Sequence, residues 1–110
     1  MPLEPEPPES YREFVRRYPL VAEGWERIAA AGRQGPLDAK TVRLVKLALA
    51  MGAMREGAVR ANVRKAPTAG ITSDEIDQVL ALAAGTLGLS EAVALYTWVH
   101  KTPGSGKATG

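Results

Sequence analysis

Cysteine is absent from this chain of 110 residues, and histidine occurs once, as His100. Without cysteine there is no disulfide, no thiolate metal site, no thiol nucleophile and no dithiol redox couple. A single histidine also argues against a histidine-based zinc site within one chain. We therefore predict no bound metal and no cofactor, so any function has to depend on other side chains.

Long apolar segments are missing as well. No stretch approaches the roughly 20 consecutive apolar residues of a membrane-spanning helix. The first ten residues, MPLEPEPPES, hold glutamate and proline instead of a basic segment followed by an apolar one, so no signal peptide is predicted. By default we expect a cytoplasmic protein of one domain, with no membrane association.

Alternation of apolar and polar residues, which is typical of a half-buried strand, is not found, whereas helical spacing recurs along the chain. We predict a compact all-α bundle of five to six helices that forms one domain over residues 10–101. The proline- and glutamate-rich segment 1–9 is predicted to be a disordered arm, and 102–110 a disordered tail.

Capping residues predict where three of the helices begin. Ser10 with Glu13, and Thr72 with Glu75, have the spacing of a capping box, in which the hydroxyl and the carboxylate each accept a hydrogen bond from a backbone N–H. Asp38 is a suitable N-cap for the segment that follows it. We expect a helix to start at each of these points.

Proline and glycine predict where the helices break. A second helix should cover 19–32, with proline in its first turn and glycine at its end. A break is expected near 52–55. Pro67 cannot donate a backbone hydrogen bond, so it should unwind the end of the next helix. A turn is predicted over 85–88, after which Ser90 should cap the last helix.

Apolar residues at helical spacing are assigned to the core or to a subunit interface. In the second and the last helix they are Leu20, Val21, Trp25, Ile28, Ala29, Val93, Tyr96 and Val99. The segment Ala39–Met51 is apolar around most of its circumference, which predicts burial by its own chain on one side and by a partner subunit on the other. Arg60 and Arg64 are expected on the outside of their helix.

Charge is segregated along the chain although the net charge is only +2. Residues 40–65 carry seven bases against one acid, and residues 74–91 carry four acids and no base. Pairing within the chain or between subunits would explain this pattern, and a nucleic-acid patch is the competing interpretation. No aromatic residues interleave with the bases to stack on nucleobases, which argues against nucleic acid.

Three successive segments carry a family resemblance: LDAKTVRLVKLALAMGA, EGAVRANVRKAPTAG and ITSDEIDQVLALAAGTLGLSEAVAL. Their order from Asp38 to Trp98 resembles the carboxymuconolactone decarboxylase family, which includes the alkylhydroperoxidase D-like proteins. The resemblance implies the helical fold of that family and a homo-oligomer, a trimer or a hexamer. Residues before Leu37 would then be a variable arm and packing helices.

The same resemblance identifies the positions of the family's reactive groups. Its redox members carry a glutamate on the first central helix, then a Cys-x-x-Cys pair, then a histidine one turn later. In this sequence the glutamate position is Arg43, the cysteine positions are Arg55 and Ala58, and the histidine position is Asn62. All four reactive groups are replaced.

These replacements remove the family's known chemistry. Dithiol peroxide reduction needs two thiols, which this chain lacks. The decarboxylase branch keeps the histidine as its acid–base group, and the amide of Asn62 cannot transfer a proton near neutral pH. Whether any catalysis remains is open, so we do not assign the chain as an enzyme from its sequence.

Arg43, Glu56 and Asn62 are the candidate pocket residues. An arginine fork suits a small carboxylate ligand, and Asn62 would bind it where a histidine stood. The alternative is that Asn62 is a structural hydrogen bonder, and that Arg43, Arg55 and Glu56 belong to ion pairs, some with the acids of the 74–77 segment. His100 is expected near the C-terminal end of the last helix, where a cation interacts favourably with the helix dipole, and it is not expected to act as a ligand.

Three functions remain open. The first is a non-redox oligomer that binds a small ligand or a protein partner. The second is an enzyme, of decarboxylase, lactone or other type, whose rearranged site uses Arg43, Glu56 and Asn62. The third is a basic nucleic-acid accessory protein, which the sequence favours least.

Overall fold

The computed structural model describes residues 8–101, and every statement below on structure concerns that part of the chain. It contains six α-helices and no strand, which confirms the all-α prediction. They are α1 (Glu9–Arg17), α2 (Pro19–Gly32), α3 (Ala39–Gly52), α4 (Glu56–Lys65), α5 (Ser73–Leu87) and α6 (Leu89–His100). The predicted arm, up to residue 7, and the predicted tail lie outside the described residues.

The core is built by α3, α4, α5 and α6. Leu47 and Met51 of α3, Val59 of α4 and Leu95 of α6 are almost completely buried. The buried face of α5, which includes Ile76, Leu80 and Ala83, packs against the same cluster. Burial of large aliphatic side chains is the main favourable term in folding, so these four helices supply most of the stability of a single subunit.

The first two helices contribute no buried residue. On α2, Leu20 is 79% exposed and Trp25 is 60% exposed. The sequence predicts that this apolar face lies inward or at an interface, and in a single subunit the inward alternative is wrong. The reason is geometric, because α1 packs mainly against α2 and this pair touches the core helices only lightly.

Two of the four predicted N-caps are present. Asp38 accepts a hydrogen bond of 2.7 Å from the backbone N–H of Thr41 and begins α3. The hydrogen bond with Thr41 holds the pKa of the Asp38 carboxyl below its usual value. Thr72 and Glu75 form the full capping box at the start of α5. Both caps satisfy backbone N–H groups that the helix itself leaves unpaired.

The predicted caps at Ser10 and Ser90 are wrong. The N-caps of α1 and α6 are Pro8 and Gly88, and neither makes a side-chain cap hydrogen bond. Ser90 falls inside α6 because α5 continues through the predicted turn to Leu87, and Gly88, with φ 115°, is the only residue between the two helices. The 85–88 turn is therefore reduced to one glycine in a conformation that other residues rarely adopt.

The inward face of α6 is also different from the prediction. Leu95 is fully buried and Val99 is partly buried, whereas Val93 and Tyr96 are about half exposed. The helix packs against both α4 and α5, and Leu95 lies between them. Val93 and Tyr96 are two residues before and one residue after Leu95, so they lie on other sides of the helix and remain on the surface.

No helix among the described residues has both the length and the apolar composition that crossing a membrane requires.

Candidate functional site

The turn between α3 and α4 sets the position of the candidate site. Met54 has φ 54°, the left-handed conformation, and the N–H of Arg55 donates to the carbonyl of Ala50 at 3.1 Å. Together with the Met54 N–H to Met51 oxygen bond, this is a Schellman motif, which ends α3 where the sequence predicts a break. The chain then turns back, so that α4 packs beside α3.

This packing brings Arg43 of α3 against Asn62 of α4. The Nη1 atom of Arg43 donates to Oδ1 of Asn62 at 2.6 Å. The Nδ2 atom of Asn62 donates to the carbonyl oxygen of Ala58 at 2.8 Å, one turn back on α4. Asn62 is 9% exposed and is the only buried polar residue in the described part of the chain. Its amide is fixed at both ends, as expected for a buried polar group.

Glu56 does not join this pair. Its Oε2 atom accepts hydrogen bonds from Nη2 and Nε of Arg60, at 2.6 and 3.0 Å, one turn along α4. Glu56 and Asn62 are six residues apart, which places them on different faces of the helix. Of the three candidate pocket residues, Arg43 and Asn62 are therefore in contact, whereas Glu56 is hydrogen-bonded to Arg60.

Arg60 is also not where the sequence predicts it. Its side chain is 16% exposed instead of lying outside the helix. The double hydrogen bond to Glu56 satisfies one edge of the guanidinium, and Nη1 is buried with no partner among the described residues. The aliphatic stem and the paired charge allow this burial, because an arginine can cover apolar surface with its methylenes.

The remaining family positions carry no reactive group. Arg55 is the exposed N-cap residue of α4, with no side-chain cap hydrogen bond, and Ala58 is half-buried against the core. A thiol at the start of a helix would have a lowered pKa, and here a guanidinium and a methyl group stand there instead. No thiol stands at this end of α4, so dithiol reduction of a peroxide cannot take place there.

A cleft of about 580 Å³ opens between α2 and α3. Its apolar lining includes Trp25 and Ile28 of α2, Leu37 of the connection, and Val42 of α3. Arg43 also lines the cleft, so the cleft reaches the side chain that contacts Asn62. The volume is in the range of roughly 300–1,000 Å³ that is usual for small-molecule sites.

Lys46 lines the same cleft and was not among the predicted site residues. Burial lowers the pKa of the Lys46 ammonium, and the positive charges of Arg43, Lys65 and Arg33 lower it further. Of these, Arg33 has a carboxylate partner, Glu26, at 2.9 Å. The signal in the sequence was the spacing of Lys40, Arg43 and Lys46, three bases at three-residue intervals on a mostly apolar helix.

Other charged groups are paired within the subunit. Lys40 of α3 contacts Glu75 of α5 at 2.8 Å, and His100 of α6 contacts Asp77 of α5 at 2.7 Å. The Lys40–Glu75 pair joins the basic segment 40–65 to the acidic segment 74–91, whereas Arg43 and Arg55 form no ion pair with the acids of 74–77 among the described residues. Within residues 8–101 no group of three metal-ligating side chains comes together.

The chain belongs to the carboxymuconolactone decarboxylase family, because the model of that family matches residues 19–101. The sequence resemblance covers Asp38–Trp98, and the match takes in the whole of α2 as well. Comparison with curated proteins and with solved structures gave no match. Family membership and the helical architecture agree, whereas the reactive side chains that the resemblance implies are absent from their positions.

Proposed function

We propose that this protein is a non-redox member of its family that binds a small carboxylate and works as a homo-oligomer. The observation that supports this most is the hydrogen bond between Arg43 and Asn62, at the positions where the resemblance places a glutamate and a histidine. An arginine and an amide in contact keep a polar site between α3 and α4. Neither of them can accept or give up a proton near neutral pH.

A carboxylate is the ligand that this pair favours. The guanidinium of Arg43 has five N–H donors, of which one is used by Asn62, and a planar fork matches the two oxygens of a carboxylate. Among residues 8–101, no acidic side chain forms an ion pair with Arg43 or Lys46. The charge at this end of the cleft is thus left for an anion from outside the subunit.

Self-association is supported by exposed apolar residues on the core helices. Leu49 of α3, Leu82 of α5 and Leu89 of α6 are each more than 60% exposed. Apolar surface of this kind on a small domain is typical of a protein interface. The trimeric or hexameric state comes from the family resemblance alone.

A thermal-shift screen with small carboxylates and lactones tests the proposal, with a hydroperoxide assay alongside it. We expect carboxylates to raise the melting temperature of the wild type, and the Arg43→Met variant to lose the shift. Arg64→Met, a basic residue of α4 outside the cleft lining, is the matched control. Turnover that disappears in Asn62→Ala and Glu56→Gln would instead establish an enzyme, and binding that weakens steeply with salt would favour a polyanion.

A further inference from the structure

We propose that the cleft between α2 and α3 binds an amphipathic carboxylate, with Arg43 and Lys46 on its carboxylate and Trp25, Ile28 and Val42 around its apolar body. This inference depends on the proposed function and extends it, because it adds a second cation and names the class of ligand. It concerns the cleft as a whole and not the Arg43–Asn62 contact alone.

The shape of the cleft supports a ligand with an apolar body. Its walls come from two helices, and most of the side chains in the lining are aliphatic or aromatic. Trp25 and Ile28 lie one turn apart on α2, and Val42 faces them from α3. A bare anion such as acetate would leave this surface in water, whereas burying an alkyl or aryl group gains about 25 cal/mol for each Å² removed from solvent.

The charge of the cleft supports an anionic head. Arg43 and Lys46 are on one face of α3 and both line the cleft. No acid is in the lining, and Arg33 of the lining is already paired with Glu26 at 2.9 Å. The mutual repulsion of these cations also lowers the pKa of the Lys46 ammonium, so a bound carboxylate would relieve an unfavourable interaction.

Calorimetric titration of the full chain with octanoate, 1-octanol and acetate distinguishes the contribution of the carboxylate from that of the apolar body. We expect octanoate to bind, and the other two to bind at least about tenfold more weakly, because each has only half of the required chemistry. Lys46→Met keeps the apolar stem and removes the charge. The affinity for octanoate should therefore fall by about tenfold or more, and the affinity for 1-octanol should stay unchanged. Lys101→Met is the matched control.

Tryptophan emission locates the ligand. The chain has two tryptophans, Trp25 in the cleft lining and Trp98, which packs against the core. Octanoate should change the emission of the wild type and of Trp98→Phe, and should leave the emission of Trp25→Phe unchanged. Equal binding of octanoate and 1-octanol, or a Lys46→Met variant with wild-type affinity, would overturn the proposal.

Binding of octanoate to three variants distinguishes a wrong cleft assignment from a wrong proposed function. If Asn62→Ala weakens octanoate binding while Lys46→Met and Trp25→Phe do not, the ligand is at the Arg43–Asn62 pair and only the cleft assignment is wrong. If no carboxylate binds the wild type, both proposals are wrong. If a second copy of the chain fills the cleft, dilution to monomer should restore binding that is absent in the oligomer, and this outcome also contradicts the proposal.

Discussion

The helices α3–α6 and the α1–α2 pair use their apolar residues in opposite ways. In the first group one set of large apolar side chains faces inward, and four of them have almost no exposed surface, although Leu49, Leu82 and Leu89 stay exposed. In the second group the apolar side chains face solvent or the cleft, and no residue is buried. Both groups nevertheless have the amphipathic spacing that predicts a buried helix face.

This difference indicates that α3–α6 stabilise the subunit, whereas the α1–α2 pair offers apolar surface for binding. A subunit gains its folding free energy where apolar surfaces meet within the chain, which here means α3–α6. Apolar surface that stays exposed on a 110-residue chain gives nothing to the isolated subunit and is available to a ligand or to another copy. The candidate site is between the two groups, because Arg43 and Lys46 belong to α3 and the apolar wall opposite them belongs to α2.

The largest effect that we expect comes from the core. Leu95→Ala should lower the free energy of unfolding by about 2–5 kcal/mol, because it opens a cavity at a fully buried site between α4 and α5. Leu20→Ala on α2 is the matched control and should change the free energy of unfolding by no more than about 0.5 kcal/mol. Urea denaturation measures both values. If the two changes cost the same, α2 is packed as firmly as the core and the comparison fails.

Self-association should be the next most sensitive property. Leu49→Glu places a charge on the exposed side of α3, away from the cleft lining, and should convert the proposed oligomer into a species of 11.7 kDa in sedimentation. Gln78→Glu adds the same charge on an exposed position of α5 and should leave the assembly intact. An oligomer that survives Leu49→Glu would show that the interface does not depend on this side of α3.

The Arg43–Asn62 pair should contribute to stability as well as to binding. Asn62→Ala leaves the half-buried Arg43 without its acceptor, and we expect the free energy of unfolding to fall by about 1–3 kcal/mol. Gln78→Ala removes an exposed amide and should cost much less. A double-mutant cycle with Arg43→Met measures the coupling between the two side chains, and a coupling of zero would mean that the contact is incidental.

Local rules predicted much of the fold because their causes are local. Asp38 caps α3 and Thr72 caps α5 through atoms only three residues away, so the sequence contains all that is needed. The break of α3 within 52–55 and the loss of α-helix at Pro67 are equally local, whereas the left-handed conformation of Met54 was not predicted. The rules failed at Ser90, because α5 continues past the predicted turn and leaves no room for a capping residue.

The site could be predicted only in part. The family spacing places Arg43 and Asn62 together, and the structure has them in contact. Glu56 was separated from them by a competing contact with Arg60, four residues away on the same helix. Lys46 and the cleft depend on where α2 lies relative to α3, and no short-range pattern in the sequence determines that.

A smaller effect on stability is expected from removing the side chains of two predicted N-caps, Thr72 and Ser90. Thr72→Ala breaks a capping box that is present, so the free energy of unfolding should fall by about 1 kcal/mol. Ser90→Ala removes a hydroxyl that caps nothing, so it should have almost no effect. Thermal unfolding of the two variants measures the difference. A loss at Ser90 as large as that at Thr72 would mean that α6 begins two residues later in solution, with Ser90 as its N-cap.

The smallest effect concerns the contact between α3 and α5. The Lys40 ammonium and the Thr72 N–H hold the pKa of Glu75 below its usual value, so the folded protein binds the proton more weakly than the unfolded chain does. The stability that Glu75 adds is therefore complete above its unfolded pKa and is lost as pH falls through the lower folded value. Glu75→Gln keeps the capping box without the charge, so its urea midpoint should be below that of the wild type at neutral pH and should meet it in acid. Because both side chains are more than a third exposed, the difference should also shrink with added salt, and a gap that persists at low pH would show that Lys40 is not its cause.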